Sequence, residues 1–490
     1  MKFEVVKDKN EIIFTPSQNR AIDKILDFVN SPFDDGKINA YALCGYAGTG
    51  KTTITNHIII NSKWSTSMFK CCAPTHKACR VLSISLKGKK VDTIQSMFGF
   101  RPDVDIENFD PENPRFAPIG RIKLVDKKDN IVPKCLIIDE ASMLNYKLVN
   151  YIIKTCRNHK IKILFIGDAS QLPPVNESKS YAFDIVGNNV SYLTEIVRQD
   201  AKSPITELLS ILRDDIKNKT FNFFTYITKN REILDDNDKG FIVCDNMQFS
   251  YMIDSCFMDD SYLKDIDKYR IIAYTNARVN YWNSYIRNRI IKDADKAPIT
   301  LNDLLTSYTT IVDEFLADII VNSDDYIIDD LGEYYPTDEP FKCFLVKLVN
   351  TKTGRKTPNL SIIDHTDTKT FYNYYRKLSE LISNAQKEID SGKRKQAWAK
   401  YFSFKRKYLI ATNIMDNRNG SILFSRDLDY GFAMTSHRSQ GSTYNTSLVD
   451  VNDITFDKRG MIYTNKDELL RRLYVACSRA SNKLILRYGQ

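Results

Sequence analysis

The chain lacks a C-x-x-C pair among its ten cysteines (44, 71, 72, 79, 135, 156, 244, 256, 343 and 477), and no histidine stands at finger spacing, so no zinc site is readable. Several of these cysteines sit inside apolar runs, Cys44 in YALCG and Cys135 in KCLIID, where a reduced thiol packs as a small hydrophobe. A reducing cytosol is therefore the expected setting. No run approaches the roughly 18 to 20 apolar residues that a membrane helix needs, and the opening MKFEVVKDKNEI lacks the apolar core of a secretion signal. A soluble cytoplasmic protein with no membrane partner is expected. There is no internal repeat and no low-complexity segment. Excess charge of one sign is also small: 70 Lys and Arg against 61 Asp and Glu leave +9, which permits a polyanionic partner without requiring one.

What is present is an ordered chain of 490 residues, 43% apolar and 27% charged, long enough for two to four domains. Short apolar runs recur, each followed by a loop and a helical pattern: YALCG (41–45), KCCAPT (70–75), KCLIIDE (134–140) and KILFIGD (162–168). Strand, loop and helix repeated in this way predict a parallel sheet whose functional loops lie at the carboxyl ends of the strands. YRIIAYTN (269–276), YGFAMTS (430–436) and NKLILRY (482–488) predict a second α/β unit. Two stretches break the rhythm. Residues 101–133 hold five prolines and no helical period, and read as an extended insertion, a hairpin or small β unit. Residues 291–424 read as a separate inserted domain. They mix acidic turns (NSDDYIIDD), alternating runs (FKCFLVKLVN) and a basic aromatic helix pattern, AQKEIDSGKRKQAWAKYFSFKRKY.

GYAGTGKTT, from Gly45 to Thr53, fits the phosphate loop G-x-x-x-x-G-K-[ST] at Gly45, Gly50, Lys51 and Thr52. Glycines let backbone N–H groups turn inward around phosphates, and the following helix start adds positive potential. Ala47, Gly48, Thr49 and Thr53 complete the cradle, Lys51 places a cation on the β- and γ-phosphates of ATP, and Thr52 holds Mg2+. LIIDEAS ends an apolar run in Asp139 and Glu140, suited to coordinating magnesium and orienting the attacking water respectively. GDASQLPPV carries Gln171 on a proline-stiffened loop, suited to sensing a γ-phosphate.

With these motifs on the page, the sequence resembles the superfamily 1 DNA helicases of the RecD-like/Dda-like 5′ to 3′ group. The resemblance extends over TPSQNRAI, the phosphate loop, APTHKAC (73–79), DTIQSMFG (92–99), IIDEASM, GDASQLPPV, LTEIVRQ (193–199), TSHRSQGSTY (435–444) and LYVACSRA (473–480). It implies two RecA-like parallel-sheet domains, 1–100 with 134–200 and 201–290 with 425–490. It adds a small pin hairpin at 101–133 in the first and an SH3-like domain with a helical extension at 291–424 in the second. It further implies that Gln18 holds the adenine edge, although Thr15-Pro16-Ser17-Gln18 is also a helix capping box. Arg198 and Arg479 resemble the two arginines that approach the γ-phosphate from opposite sides of a cleft, with Gly441 beside the nucleotide. Thr75 and His76, then Thr435, His437 and Gln440, resemble the contacts to a single strand, with Phe98 ahead of the pin.

The implied activity is ATP-driven 5′ to 3′ translocation on single-stranded DNA with unwinding of duplex, in phage-type replication, recombination or repair. The implied partners are single strands and single/double-strand junctions, with a single-strand-binding protein or replisome component as a further candidate, acting on a monomer in the host cytoplasm if phage-encoded. Alternatives are a translocase or RecD-like subunit without autonomous unwinding and, from another class, a nucleotide-dependent switch. Two positions depart from the pattern: Arg438 stands where lysine is usual, keeping charge but not geometry, and Gln95 stands where histidine is frequent.

Overall fold

Four apolar runs of the N-terminal half become neighbouring strands, because a strand buried on both faces reads as an unbroken hydrophobic stretch. In this computed structural model, which describes residues 13–104, 115–125, 131–174, 177–195, 197, 203–259, 262–313, 318–415 and 422–489, the first sheet has six strands. Their order is Val91–Thr93, Phe69–Ala73, Cys135–Ile138, Lys162–Gly167, Ala40–Gly45 and Val190–Leu193. The last five pair in parallel. Cys44 lies opposite Gly167 and Ile138 opposite Phe165, so the strands preceding the phosphate loop, the Asp139-Glu140 step and the Gln171 loop end along one carboxyl edge.

The second sheet runs Ala433–Thr435, Tyr269–Ala273, Tyr444–Asp450, Ala480–Arg487, Gly240–Cys244 and Glu232–Leu234. It is parallel except for its antiparallel edge strand Glu232–Leu234. A third, mainly antiparallel sheet runs Tyr408–Leu409, Leu360–Ile363, Cys343–Asn350, Asp325–Tyr334, Leu304–Ser307 and Leu428–Tyr430. The second and third sheets are tied by a buried ion pair. Arg270, on the central strand Tyr269–Ala273, donates to Asp325 at 3.1 Å and to the carbonyl of Gly431. All ten cysteines are buried free thiols.

The chain divides into two compact units. One holds the first sheet; the other holds the second and third sheets together with Thr75–Cys79 and Thr93–Lys123. The proline-rich insertion, expected within the first unit, is thus grouped with the second up to Lys123 and with the first from Leu124 onward. Its described part is a two-stranded ribbon, Arg101–Pro102 against Phe116–Ala117, and Val104 packs on the cluster around Phe341, Tyr374 and Trp398. Residues 105–114 and 126–130 of that insertion lie outside the described residues.

Two expectations for the 291–424 region are corrected. The acidic stretch read as turns lies largely in the long strand Asp325–Tyr334. Its acids are accommodated by partners: Asp330 faces Lys347 on the adjacent strand and pairs with it at 3.5 Å, and Asp329 pairs with Lys356 at 2.7 Å. The single basic aromatic helix is two helices, Thr368–Lys387 and Ser391–Lys407. Asp390 breaks the pattern because its carboxylate caps the second helix at the Lys393 N–H, 2.8 Å away. Trp398 and Tyr401 are core residues of that hairpin. Among the described residues, no helix is long and apolar enough to cross a membrane.

Candidate nucleotide and nucleic-acid site

The phosphate loop is shaped by its glycines. Gly48 and Gly50 have φ of +82° and +80°, and a Cβ on Gly50 would come within 2.6 Å of the Gln18 amide nitrogen. Gly50 precedes the helix Lys51–Asn61, whose start has no side-chain cap, so its first N–H groups remain available to an anion. The Lys51 ammonium is held over the loop by the carbonyls of Gly45 (2.7 Å) and Tyr46 (2.9 Å). Thr49 is fully buried and its hydroxyl donates to Tyr46 O at 2.8 Å, so its side chain serves the loop's shape. Thr52 is half-buried and Thr53 exposed, both at the helix start. Thr52, Thr53, Gly48, Gly50 and Lys51 line a cleft of about 480 Å3 together with Ile13, Phe14, Gln18 and Val197.

Gln18 satisfies the capping-box reading in full. Its Oε1 accepts from Thr15 N at 2.8 Å while its Nε2 donates to Thr49 O at 3.0 Å, so the first helix is fastened to the phosphate loop by one side chain. The adenine-edge reading shares that residue with the cap. Sequence reasoning missed Phe14 and Val197, which supply apolar wall to the cleft. Val197 donates its N–H to Gly48 O at 3.1 Å. The signal was there in part, since Val197 lies in LTEIVRQ beside Arg198 and Phe14 directly precedes the capping box.

Asp139 follows the buried strand Cys135–Ile138, and its carboxylate accepts the Glu140 N–H at 2.9 Å. Burial pushes the Asp139 carboxyl above the usual range, against the opposing pull of that N–H and of the Lys51 charge. A hard cation is suited to this place. Thr52 and Asp139 present oxygen, and among the described residues no cluster of three or more His, Cys, Asp or Glu competes for a metal. Glu140 has φ +50°, a left-handed conformation that costs a non-glycine residue about 1 kcal/mol or more and is typical of functional turns. Gln171 is buried in the turn after Lys162–Gly167, where its N–H bonds Asp168 O at 3.1 Å.

The expected strand contacts have a shared local geometry. Thr75 Oγ1 accepts Ala78 N at 3.2 Å, and Thr435 Oγ1 accepts Arg438 N at 3.3 Å, so each threonine caps the turn that follows its strand. His76 begins the helix His76–Ser85 and is half-buried. His437 lies 6.4 Å from Tyr274, ring to ring; burial first, then the Arg472 guanidinium, push its pKa below the usual value, leaving a neutral imidazole at pH 7. In the turn Thr435–Ser442, four buried polar atoms have no hydrogen-bond partner among the described residues: Ser436 Oγ, Arg438 Nη1, Gln440 Nε2 and Ser442 Oγ. Buried polar atoms without partners are costly unless water or a ligand satisfies them, so this turn has hydrogen-bonding capacity to offer. Gly441 adopts φ +73° within it.

Phe98 is a correction. It is fully buried at the end of the short helix Ile94–Phe98, so its ring offers no face to a base in this arrangement. Arg479 is also buried, its guanidinium donating to Val475 O (3.0 Å), Ser442 O (3.1 Å) and Ser478 Oγ (2.6 Å). It braces the same turn. Arg198 lies outside the described residues.

A family model described as an AAA domain matches residues 33–227. The ATP-dependent DNA helicase dda of Enterobacteria phage T4 is 29% identical over 51% of this chain and 52% of its own length. In sequence the chain is similar to the Dda/RecD-like superfamily 1 helicases. The RecD2 DNA helicase of Deinococcus radiodurans is 28% identical over 34% of this chain and 20% of its length. An uncharacterized protein, R530 of Acanthamoeba polyphaga mimivirus, is 26% identical over 96% of this chain and 99% of its length. The match to Dda thus covers about half of each chain, and the match to the mimivirus protein nearly all of both.

Proposed function

We propose that the chain is an ATP-dependent DNA helicase that moves 5′ to 3′ on single-stranded DNA and unwinds the duplex ahead of it. The observation that carries this reading is the pairing of two built elements in one chain. One is a phosphate loop with an uncapped helix start in the first unit; the other is a turn in the second unit whose buried polar atoms await a partner. Sequence similarity supports it, since Dda and RecD2 are both named as DNA helicases.

In this reading Gly45, Ala47, Gly48, Gly50 and the first-turn N–H groups hold the phosphates of ATP. Lys51 neutralises the β- and γ-phosphates, and Gln18 with Phe14 frames the base. Thr52 and Asp139 would hold magnesium, which would supply positive charge against the phosphates. Glu140 takes the proton of the attacking water, Gln171 registers the γ-phosphate, and Arg198 and Arg479 oppose the charge that develops there. Thr75, His76, Thr435, His437 and Gln440 hold the single strand. Addition of oligo-dT should raise ATP turnover by about tenfold or more, with a steep dependence on salt. Turnover indifferent to DNA would instead indicate a nucleotide switch.

The pin is proposed to lie in the insertion 101–133, where Phe116 is 55% exposed beside the Arg101–Pro102 strand. Replacing 105–114 by a short Gly-Ser turn is expected to abolish duplex unwinding while leaving DNA-stimulated ATPase and displacement of streptavidin from a single strand largely intact. An insertion that merely packs would lower melting temperature and both activities together. A stable variant that unwinds at the normal rate would rule the pin out.

A further inference from the structure

Arg438 interrupts the usual lysine pattern, and its side chain reaches well beyond its own turn. The guanidinium carbon lies 3.5 Å from the centre of the Tyr308 ring, and Nη2 donates to Ser307 O at 2.9 Å. Ser307 ends the strand Leu304–Ser307 of the third sheet. Arg426 also lies over the Tyr308 ring, at 4.0 Å, with its own charge paired to Asp429. Tyr308 is fixed in turn through its N–H, which donates to Asp427 O at 2.8 Å. A planar guanidinium can stack on a ring and donate sideways at once; a lysine ammonium on a flexible stem cannot.

We propose that Arg438 is a positioning residue: through Tyr308 it locks the turn Thr435–Gly441 onto the inserted sheet, so that this sheet sets the geometry in which the turn meets a single strand. This deepens the helicase reading and rests on it. The backbone of the turn supports the division of labour, because Arg438 N and Ser439 N bond back to Thr435 at 3.3 and 3.0 Å while the side chain alone leaves the turn. The lysine of the usual pattern could serve as a point charge for phosphate. The arginine commits its Nη2 and its planar face to neighbours some 130 positions earlier in the chain, while its buried Nη1 has no hydrogen-bond partner among the described residues.

The test is ATP turnover of the full chain titrated with oligo-dT. Tyr308→Leu and Arg438→Lys should each raise the oligo-dT concentration for half-maximal stimulation by about 5- to 20-fold, the scale of a partly desolvated cation–π contact. Maximal turnover should stay within about twofold. Tyr308→Phe, which keeps the ring face, should match the unaltered protein, and combining Tyr308→Leu with Arg438→Lys should add little to either alone. DNA-free turnover of Tyr308→Leu serves as the check on folding. Normal DNA dependence in Arg438→Lys with a defect in Arg438→Ala would make Arg438 a point-charge phosphate contact and overturn the proposal. So would a Tyr308→Leu protein with unaltered DNA dependence. If the unaltered protein hydrolyses ATP without any response to oligo-dT, the helicase reading falls and the proposal with it.

Discussion

Glu140→Gln should give a protein that binds ATP normally and scarcely turns it over. The substitution keeps side-chain volume, and the backbone N–H that holds the Asp139 carboxylate is untouched, so the oxygen proposed to take magnesium is preserved. What is lost is the carboxylate that accepts a proton from water, a contribution on the order of 10² to 10⁴ in rate. Lys51→Ala should differ in kind. Its ammonium is poised over the loop by two carbonyls, so removing it leaves the phosphates without their nearest cation and weakens binding as well as turnover. Equilibrium binding of a fluorescent ATP analogue, measured beside steady-state turnover, separates the two. A Glu140→Gln protein with near-normal turnover would remove Glu140 from its assigned role.

Arg479→Ala and Arg198→Ala should each cut turnover by about 10³-fold or more while changing the Michaelis constant for ATP only a few-fold, because an arginine finger acts on charge that develops in the transition state. For Arg479 a competing structural role is visible. The guanidinium supports the turn through Ser442 O and closes the preceding helix through Val475 O, so its removal takes the donor from Ser442 O, while Val475 O keeps the Ser478 hydroxyl. Melting temperature and the Michaelis split distinguish the roles. A brace lost alone lowers stability and raises the DNA requirement, whereas a finger lost lowers turnover at saturating ATP and DNA. If Arg479→Ala merely raised the Michaelis constant, the arginine would be a ground-state contact.

The parallel sheets were legible because their strands are unbroken apolar runs: YALCG, KCLIID and KILFIG each became a fully buried strand beside the others. Tyr444–Asp450, in contrast, was not singled out as a strand. It reads YNTSLVD, and its polar Thr446, Ser447 and Asp450 are buried, which no local pattern reveals. The acidic strand Asp325–Tyr334 was misread for a related reason, since its charges are balanced by Arg270 and by lysines distant in sequence or across the sheet.

In the site, the phosphate loop and its acidic partner were legible because their chemistry is local and their spacing fixed. The burial of Phe98 was not, because an aromatic at a helix end gives no indication of which side packs. Nor was the Arg438–Tyr308 contact. A departure from the family pattern read as keeping charge but not geometry finds its partner only when the third sheet brings Tyr308 beneath it.

The most direct test of the account is strand displacement with ATP on two otherwise identical duplexes, one with a 5′ single-stranded tail and one with a 3′ tail. The account predicts displacement from the 5′-tailed duplex, little from the 3′-tailed one, and none from either with Glu140→Gln. Equal displacement from both, or preference for the 3′ tail, would contradict the assigned direction; ATP turnover stimulated by DNA with no displacement from either would contradict the claim that this chain unwinds duplex on its own.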